Sequence, residues 1–264
     1  MPNEALIRLS VFLAVFALFA GLEALAPKRA RVQGRGGRWF TNLSITVLNT
    51  LALRALSVAL PFLAVGAAVD AWRNGWGLLN AVAWPLWVEV LLAILVLDLA
   101  IWAQHWLTHR VPLFWRFHRM HHADRDMDVT TALRFHPVEI LASMGLKIGL
   151  VYALGPQAVA VVLFEVLLNG TALFNHANLR LPLWLDRVVR LVLVTPDMHR
   201  VHHSVIRAEH DSNYGFALSV WDRIFRTYRA QPMGGHAAMK VGLQWQDERP
   251  AKLGWALWLP FRRS

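Results

Sequence analysis

The residues of this sequence best suited to chemistry are its histidines, because most of them fall into tight groups. The chain has 12 histidines and no cysteine. The grouped ones are His105 and His109; His118, His121 and His122; His176; and His199, His202 and His203. Without thiolates, any metal has to be bound through histidine or oxygen. Neutral imidazole suits iron, zinc, copper or nickel.

The spacing within these groups is typical of metal ligands carried on helices. His105 and His109 are four residues apart, which places both imidazoles on one helix face. The segments HRMHH (118–122) and HRVHH (199–203) repeat one pattern, in which adjacent histidines diverge by about 100° around a helix. Adjacent histidines can therefore address different metals. Eight or more imidazoles exceed the roughly four to six ligands of one ion, so the sequence predicts two metal ions.

The choice of metal separates the candidate activities. Zinc would polarise water for hydrolysis, but the zinc-protease pattern requires Glu directly after its first His, where this chain has Trp106. Iron at an open, nitrogen-rich site can instead activate dioxygen. A membrane zinc hydrolase and a non-catalytic protein that binds metal or lipid remain the alternatives from other classes.

Other polar residues near these groups are candidates for supporting roles. Asp98 lies two helical turns before the first group and is expected to orient an imidazole as an acceptor, and Asp197 is expected to do the same for the last group. His136 and His210 are each open between a structural role and a role at the site. A single histidine in an apolar chain is more often a packed or interfacial residue than a ligand, and His236 is interpreted in this way.

The composition indicates a membrane protein. Hydrophobic residues make up 56% of the 264 residues, only 17% are charged, and the mean hydropathy is positive. The formal net charge of +10 comes from basic residues between apolar runs, where they would face anionic headgroups, so no nucleic acid partner is expected.

Three apolar segments are each long enough to span a bilayer as a helix: Leu6 to Leu25, Leu43 to Val69 with a kink at Pro61, and Val82 to Trp102. The stretch Val138 to Phe174 is too long for one helix and suits two spans or half-spans joined by a turn. Arg8 and Glu23 are expected to reach the membrane interface at the two ends of the first span. A signal peptide cleaved after Ala26 is the competing interpretation of that span.

The basic loop from Lys28 to Arg38 contains no acid, and the positive-inside rule places it in the cytoplasm. A hairpin at Gly155-Pro156 would return the chain to that face, so that early and late histidines can meet. Leu181 to Val194 is predicted to be an interfacial helix. The expected fold is all-α: one domain, residues 1–264, with a cytoplasmic histidine-rich cap over a multi-span transmembrane bundle.

Several motifs together resemble the fatty acid hydroxylase and sterol desaturase superfamily of membrane di-iron enzymes. The motifs are DLAIWAQHWLTH, LFWRFHRMHHAD, TALRFHPVE, FNHANL, TPDMHRVHHS, DSNYGF and WDRIFRTY, within residues 98–228. The resemblance implies that the grouped histidines, 105, 109, 118, 121, 122, 176, 199, 202 and 203, are the metal ligands. Two departures are Arg226, where the family often has glycine, and His210, where threonine is expected.

The resemblance also implies an activity. We expect two iron ions, with dioxygen as co-substrate, that hydroxylate a C–H bond of a fatty acyl chain, sterol or related membrane lipid; a lipid or sterol desaturase is the alternative. No catalytic residue separate from the metal ligands is predicted. No flavin or nicotinamide motif is present, so a separate electron donor of the ferredoxin, cytochrome or reductase type is expected. The abundance of arginine and alanine favours a bacterial cytoplasmic membrane.

Overall fold

The computed structural model describes residues 4–60 and 62–262, and this part of the chain is helical with isolated bridges but no β-strand. Pro61, the expected kink, lies outside the described residues. The helices are α1 Glu4–Leu25, α2 Arg35–Ala59, α3 Ala64–Arg73, α4 Leu86–Arg110, α5 Pro112–His122, α6 Pro137–Leu154, α7 Ala158–His176, α8 Leu183–Val189, α9 Pro196–His202, α10 Arg207–His210, α11 Val220–Ile224, α12 Gly235–Ala238 and α13 Leu253–Trp258. Short 3-10 helices cover Leu78–Ala81, Val129–Leu133, Arg249–Ala251 and Leu259–Phe261.

Five helical segments among the described residues are long and apolar enough to cross a membrane, which confirms the predicted multi-span helical fold. They correspond to α1, to the stretch from α2 to residue 81, and to α4, α6 and α7. The third segment extends beyond the predicted end at Trp102 and includes His105 and His109 in its last two turns. The first histidine group therefore belongs to the membrane-spanning helix itself.

The predicted hairpin is present between α6 and α7. Gly155 ends α6 with a φ of 66°, the left-handed conformation that glycine adopts without steric cost. A Cβ at this position would overlap the carbonyl oxygen of Trp76, and Asn80 Nδ2 donates a hydrogen bond to Gly155 O at 3.0 Å. The turn is thus packed against the loop after α3, and it directs α7 back towards the end of the bundle that carries the histidines.

Arg8 and Glu23 of α1 were both expected to reach the membrane interface, and the structure contradicts this for Glu23 only. Arg8 pairs with Glu165 of α7 at 2.5 Å, and Lys147 of α6 pairs with the same carboxylate. Glu23 is fully buried and accepts hydrogen bonds from the backbone N–H groups of Val129 and Asn178, so its interfacial placement was wrong. These two hydrogen bonds to Glu23 attach α1 to the segments that follow α5 and α7, next to the histidines.

A buried ionic network fixes the loop that follows α5. Arg38 is fully buried and donates to both Asp124, at 2.7 Å, and Asp128, at 2.8 Å. Arg134 donates to Met120 O at 2.9 Å and to Asn42 Oδ1 at 2.9 Å. Charge-assisted bonds of this kind are short and directional. They hold the C-terminal end of α5, and with it the HRMHH segment, against α2.

The helix predicted over 181–194 is shorter in the structure. α8 covers only Leu183–Val189, because Pro182 precedes its first turn, residues 190–192 form a turn and Leu193 forms an isolated bridge with Leu218. The exposed face of α8 and of the turn after it is nevertheless apolar, as expected for an interfacial segment. Leu183, Trp184, Val188 and Leu191 are each at least 60% exposed.

Candidate metal centre

Nine histidines form two adjoining groups, and these are the nine that the sequence grouped. The five-histidine group consists of His105, His109, His118, His122 and His202. The four-histidine group consists of His121, His176, His199 and His203. Within each group, one potential ligand atom per residue lies within 4.8 Å of every other. Both groups therefore have the dimensions of a metal site.

Each HxxHH segment contributes to both groups: the first gives two histidines to the five-histidine group and one to the four-histidine group, and the second gives one and two. His118 and His122 belong to the five-histidine group, whereas His121 between them belongs to the other. In the second segment, His202 alone joins the five-histidine group. The rings of His121 and His122 are nearly perpendicular, at 86°. This divergence of neighbours on α5 is the one expected from helix geometry.

These imidazoles are deeply buried and incompletely hydrogen-bonded. All nine are at most 6% exposed. Among the described residues, both ring nitrogens of His109, His122 and His203 lack a hydrogen-bond partner, as does Nδ1 of His121 and His199. Buried polar atoms are normally paired, so orphaned nitrogens at this density require an explanation.

Four of the imidazoles have a fixed tautomer. Nδ1 lies 2.6 Å from Tyr214 O in His105, 2.7 Å from Ala172 O in His176 and 2.7 Å from Ser212 O in His202. A carbonyl oxygen only accepts, so Nδ1 carries the proton in each of these rings. The same holds for His118, whose Nδ1 lies 2.7 Å from a carboxylate oxygen of Glu139. In their neutral state these rings present a lone pair at Nε2.

Several Nε2 atoms face each other at close range. His105 Nε2 lies 3.1 Å from His118 Nε2, and His176 Nε2 lies 3.1 Å from the Nε2 atoms of both His121 and His199. In the His105–His118 pair both Nε2 atoms present lone pairs, which repel at this distance unless a cation lies between them. Metal–imidazole bonds of about 2.1 Å place neighbouring ligand nitrogens roughly 3.0–3.4 Å apart. The spacing thus fits imidazoles around metal ions.

The electrostatic environment keeps the rings available as ligands. Burial lowers the pKa of His121, His122 and His203 well below the ordinary value, and neighbouring imidazoles lower it further. His199 and His202 are affected in the same direction for the same reasons. Metals bind the neutral form of histidine, so a site of this kind does not have to displace protons near neutral pH.

Glu139 is a supporting residue that the sequence interpretation missed. It lies in the first turn of α6, where its Oε1 accepts the hydrogen bond from His118, and its Oε2 has no partner. The signal was present in the motif TALRFHPVE, from which only His136 was selected. An acid in the first turn of a helix that begins beside the ligands was the usable indication.

Asp222 is a second missed residue, and it acts on the backbone that orients His105. Its carboxylate accepts from Tyr214 N at 2.8 Å, from Gly215 N at 2.9 Å and from the Trp102 indole at 3.1 Å. These bonds hold the chain segment whose carbonyl receives Nδ1–H of His105. Burial raises the pKa of Asp222, while its hydrogen bonds oppose that rise.

The two predicted supporting aspartates bind other groups. Asp98 Oδ2 accepts from the Trp221 indole at 2.9 Å and from Leu218 N at 3.2 Å, rather than from an imidazole. Asp197 pairs with Lys28 at 2.6 Å and with Arg200. Both side chains attach loops of the histidine-bearing end to helices. Their expected contact with ligand imidazoles is therefore absent from the described part of the chain.

The remaining histidines lie around the two groups. His136 caps α6, because its Nδ1 accepts a hydrogen bond from Val138 N at 3.1 Å. Of the structural role and the role at the site that were considered for His136, this contact supports the structural one. His210 stacks on Trp115 with ring centroids 5.4 Å apart, and with Asp211 it lies near His109. His236 lies 3.8 Å from Asp197, outside both groups, as expected.

A cavity of about 290 Å³ opens onto the five-histidine group from between the spans. His105, His118 and Glu139 form part of its wall. The rest of the wall comes from α1, α2, α4, α6, α7, the 3-10 helix over 129–133 and neighbouring loops, and much of it is apolar, including Phe12, Leu53, Ile101, Leu168 and Phe216. The cavity has the position and lining expected for an apolar chain entering from lipid.

A second cavity, of about 470 Å³, reaches His109 from a different set of residues. Arg110, Arg119 and Arg207 line it together with Trp115. The Trp115 ring lies 4.9 Å from His109 and 5.4 Å from His122, measured between centroids. This arginine-rich cavity thus reaches the five-histidine group at His109, beside the Trp115 ring.

Comparison with known proteins connects these features to lipid oxidation. The sequence profile of the fatty acid hydroxylase family matches residues 90–227. An ornithine lipid hydroxylase of Rhizobium tropici is 27% identical over 232 residues, which cover 84% of this chain and 67% of that protein. Human alkylglycerol monooxygenase is 31% identical over 144 residues, covering 53% of this chain but only 30% of the human protein. No solved structure matches the chain.

Proposed function

Because this chain belongs to the fatty acid hydroxylase family, we propose that it is a dioxygen-dependent oxygenase that hydroxylates a C–H bond of a membrane lipid at a pair of iron ions. The observation that carries the proposal is the pairing of two buried histidine groups at the end of a cavity between the spans. The relatives named for hydroxylation or monooxygenation of lipids support the same chemistry. Desaturation by the same centre is the second candidate.

We assign the nine grouped histidines as the ligands, five to one iron and four to the other. Bound iron supplies the oxidising power that an unactivated C–H bond requires when dioxygen and electrons are provided. The chain supplies the geometry. Hydrogen bonds from Nδ1 to Tyr214 O, Ala172 O, Ser212 O and Glu139 keep four Nε2 atoms directed at the metals, and such outer partners normally also strengthen the ligands.

The cavity positions the substrate. An apolar chain that enters between the spans would contact Leu53, Ile101 and Leu168 and would end beside His105 and His118. The bound apolar chain would exclude water from the cavity, and this exclusion would protect the oxidising centre from side reactions. Part of the wall belongs to α1 and α2, which precede the residues matched by the family profile, so we propose that the whole chain acts as one domain.

A separate protein has to provide electrons, and the arginine-rich cavity is the place we assign to its approach. Arg110 and Arg207 are exposed there, and Trp115 bridges the cavity to the five-histidine group. An acidic donor would be attracted by this rim. The basic segment from Lys28 to Arg38 supports a cytoplasmic location for the histidine-bearing end in a bacterial membrane.

Purified protein in nanodiscs tests the proposal. We expect two iron ions per chain, dioxygen consumption that depends on lipid and reductant, and incorporation of ¹⁸O from ¹⁸O₂ into the lipid. Comparison of lipids from a deletion strain and its parent separates the two candidate reactions, since a hydroxylase adds one oxygen and a desaturase removes two hydrogens. Full turnover by the zinc-loaded protein under anaerobic conditions would instead support a hydrolase.

A further inference from the structure

Two amide side chains in the wall of the cavity between the spans each have a hydrogen-bond partner for only one of their two polar atoms. Asn49 of α2 donates from Nδ2 to Phe135 O at 3.0 Å, while its buried Oδ1 has no partner in the described part of the chain. Gln104 of α4 accepts from Ser143 Oγ at 3.1 Å, while no described residue accepts from its Nε2. One acceptor and one pair of donors thus remain next to the five-histidine group.

Such groups are costly within a bundle that is surrounded by hydrocarbon. Lipid tails cannot hydrogen-bond to an amide, and Asn49 is only 8% exposed. A purely hydrocarbon ligand would leave Asn49 Oδ1 and Gln104 Nε2 without partners, whereas a polar ligand can hydrogen-bond to both. An unpaired polar group in a binding site discriminates strongly against a ligand that lacks the matching group.

We propose that the cavity binds its lipid through a hydroxyl or a secondary amide, which donates to Asn49 Oδ1 and accepts from Gln104 Nε2. This proposal rests on the proposed function and specifies its substrate class. A saturated acyl segment with only ester linkages has no donor for Asn49, so it fits less well. Asn49 becomes a specificity-determining residue that lies before the family-matched segment 90–227.

The position of the two amides also restricts the carbon that is attacked. Ser143, which binds Gln104, lies four residues after Glu139, which binds His118, so they are one turn apart on α6. Four residues correspond to about 6 Å along a helix. The polar group would therefore lie close to the metals, and the oxidised carbon would be near that group rather than far along an acyl tail.

Binding of matched probes to the metal-loaded protein in nanodiscs tests this without turnover, in the absence of reductant and dioxygen. One pair is N-hexadecylacetamide and hexadecyl acetate; the other is hexadecan-1-ol and 1-methoxyhexadecane. Each pair differs in the presence of a donor, and empty nanodiscs correct for partitioning into lipid. We expect at least one donor-bearing probe to bind about fivefold more tightly than its partner, the gain typical of one net hydrogen bond. The pair that discriminates identifies amide or hydroxyl, and equal binding within both pairs would overturn the proposal.

Variants separate the acceptor role of Asn49 from its contact with Phe135. Asn49→Leu removes both and should abolish the preference, whereas Asn49→Asp keeps an acceptor and should retain it. Gln104→Leu should weaken both members of a pair equally, because each carries an acceptor oxygen. Ser57→Ala, on the same helix but outside the cavity wall, is the control and should match the wild type.

Loss of the preference in Asn49→Asp as well would show that Phe135, and not the acceptor, controls binding, and would overturn the proposal. If Asn49→Leu does not fold, the same comparison rests on Asn49→Asp and Gln104→Leu. The outcome is distinguishable from failure of the proposed function. Hydroxylation of lipid by a protein that shows no donor preference would contradict only this inference, whereas absence of oxygen incorporation from ¹⁸O₂ would contradict the function.

Discussion

The carboxylate of Glu139 lies 2.7 Å from Nδ1 of His118, and this contact joins α6 to the HRMHH segment of α5. A carboxylate in this position fixes the tautomer and orientation of the ring and makes Nε2 a stronger ligand. It also forms part of the wall of the lipid-side cavity, so one residue connects the substrate space with the proposed metal site.

Replacement of Glu139 is expected to weaken metal binding without removing a ligand. Glu139→Ala should lower iron affinity by about tenfold to hundredfold, because the His118 ring loses its acceptor. Glu139→Gln should lower the iron affinity less than Glu139→Ala does, because the amide oxygen of Gln still accepts a hydrogen bond from Nδ1–H of His118. Iron content after equilibration with a competing chelator measures both effects, with the exposed Glu248→Gln as the control. Wild-type iron retention in Glu139→Ala would show that the contact is incidental.

Adjacent histidines are expected to serve different metals. His121→Ala should reduce occupancy in the four-histidine group, and His122→Ala should reduce it in the five-histidine group, because their rings belong to separate groups. Metal analysis and Mössbauer spectra of ⁵⁷Fe-loaded variants should show loss of different iron signals. His236→Ala, outside both groups, should retain both signals. Identical spectra for the two single variants would argue against separate assignments.

Metal removal is expected to destabilise the histidine-bearing end of the protein. Without cations, the Nε2 lone pairs of His105 and His118 face each other at 3.1 Å, because Nδ1 carries the proton in both rings. A ligand that binds only the folded state at 100 times its Kd stabilises that state by about 2.7 kcal/mol. Chelation should therefore lower the Tm, and iron or zinc should restore it. An unchanged Tm in metal-free protein would contradict the assigned ligand set.

Arg226 is expected to limit stability. Arg226 has a φ of 58°, in the left-handed region, at the position where the fatty acid hydroxylase and sterol desaturase superfamily often has glycine. A side chain in this conformation costs roughly 1–2 kcal/mol. Arg226→Gly should therefore raise the Tm by a few degrees. Arg187→Gly, in the middle of α8, should lower it, because glycine weakens a helix. A lower Tm in Arg226→Gly would indicate an undetected role for the arginine.

Electron delivery is expected to depend on charge at the arginine-rich cavity. The Arg207 side chain is 82% exposed, so Arg207→Glu should slow reduction of the metals by an acidic ferredoxin and flatten its dependence on ionic strength. Reduction by dithionite should be unaffected. Arg249→Glu, at an exposed position outside this cavity, is the matched control. Equal effects of the two variants would place the donor elsewhere.

The membrane architecture and the identity of the grouped histidines were predictable because they depend on local properties. Hydrophobic length predicts spans, and Gly155 marks the turn because few other residues adopt its conformation. The divergence of His121 and His122 follows from 100° per residue on one helix. These features need only the geometry of a short segment.

The partners of those residues depended on the tertiary structure. Asp98 was selected because it lies on the helix of His105, but its carboxylate points to Trp221, while Glu139 from another helix contacts His118. The spacing alone predicted two metals, yet the division into five and four histidines required α4, α5, α7 and α9 to meet. The amide pair of Asn49 and Gln104 likewise comes from helices distant in sequence. Periodicity describes which face of a helix a residue occupies, whereas the packing of helices determines what that face contacts.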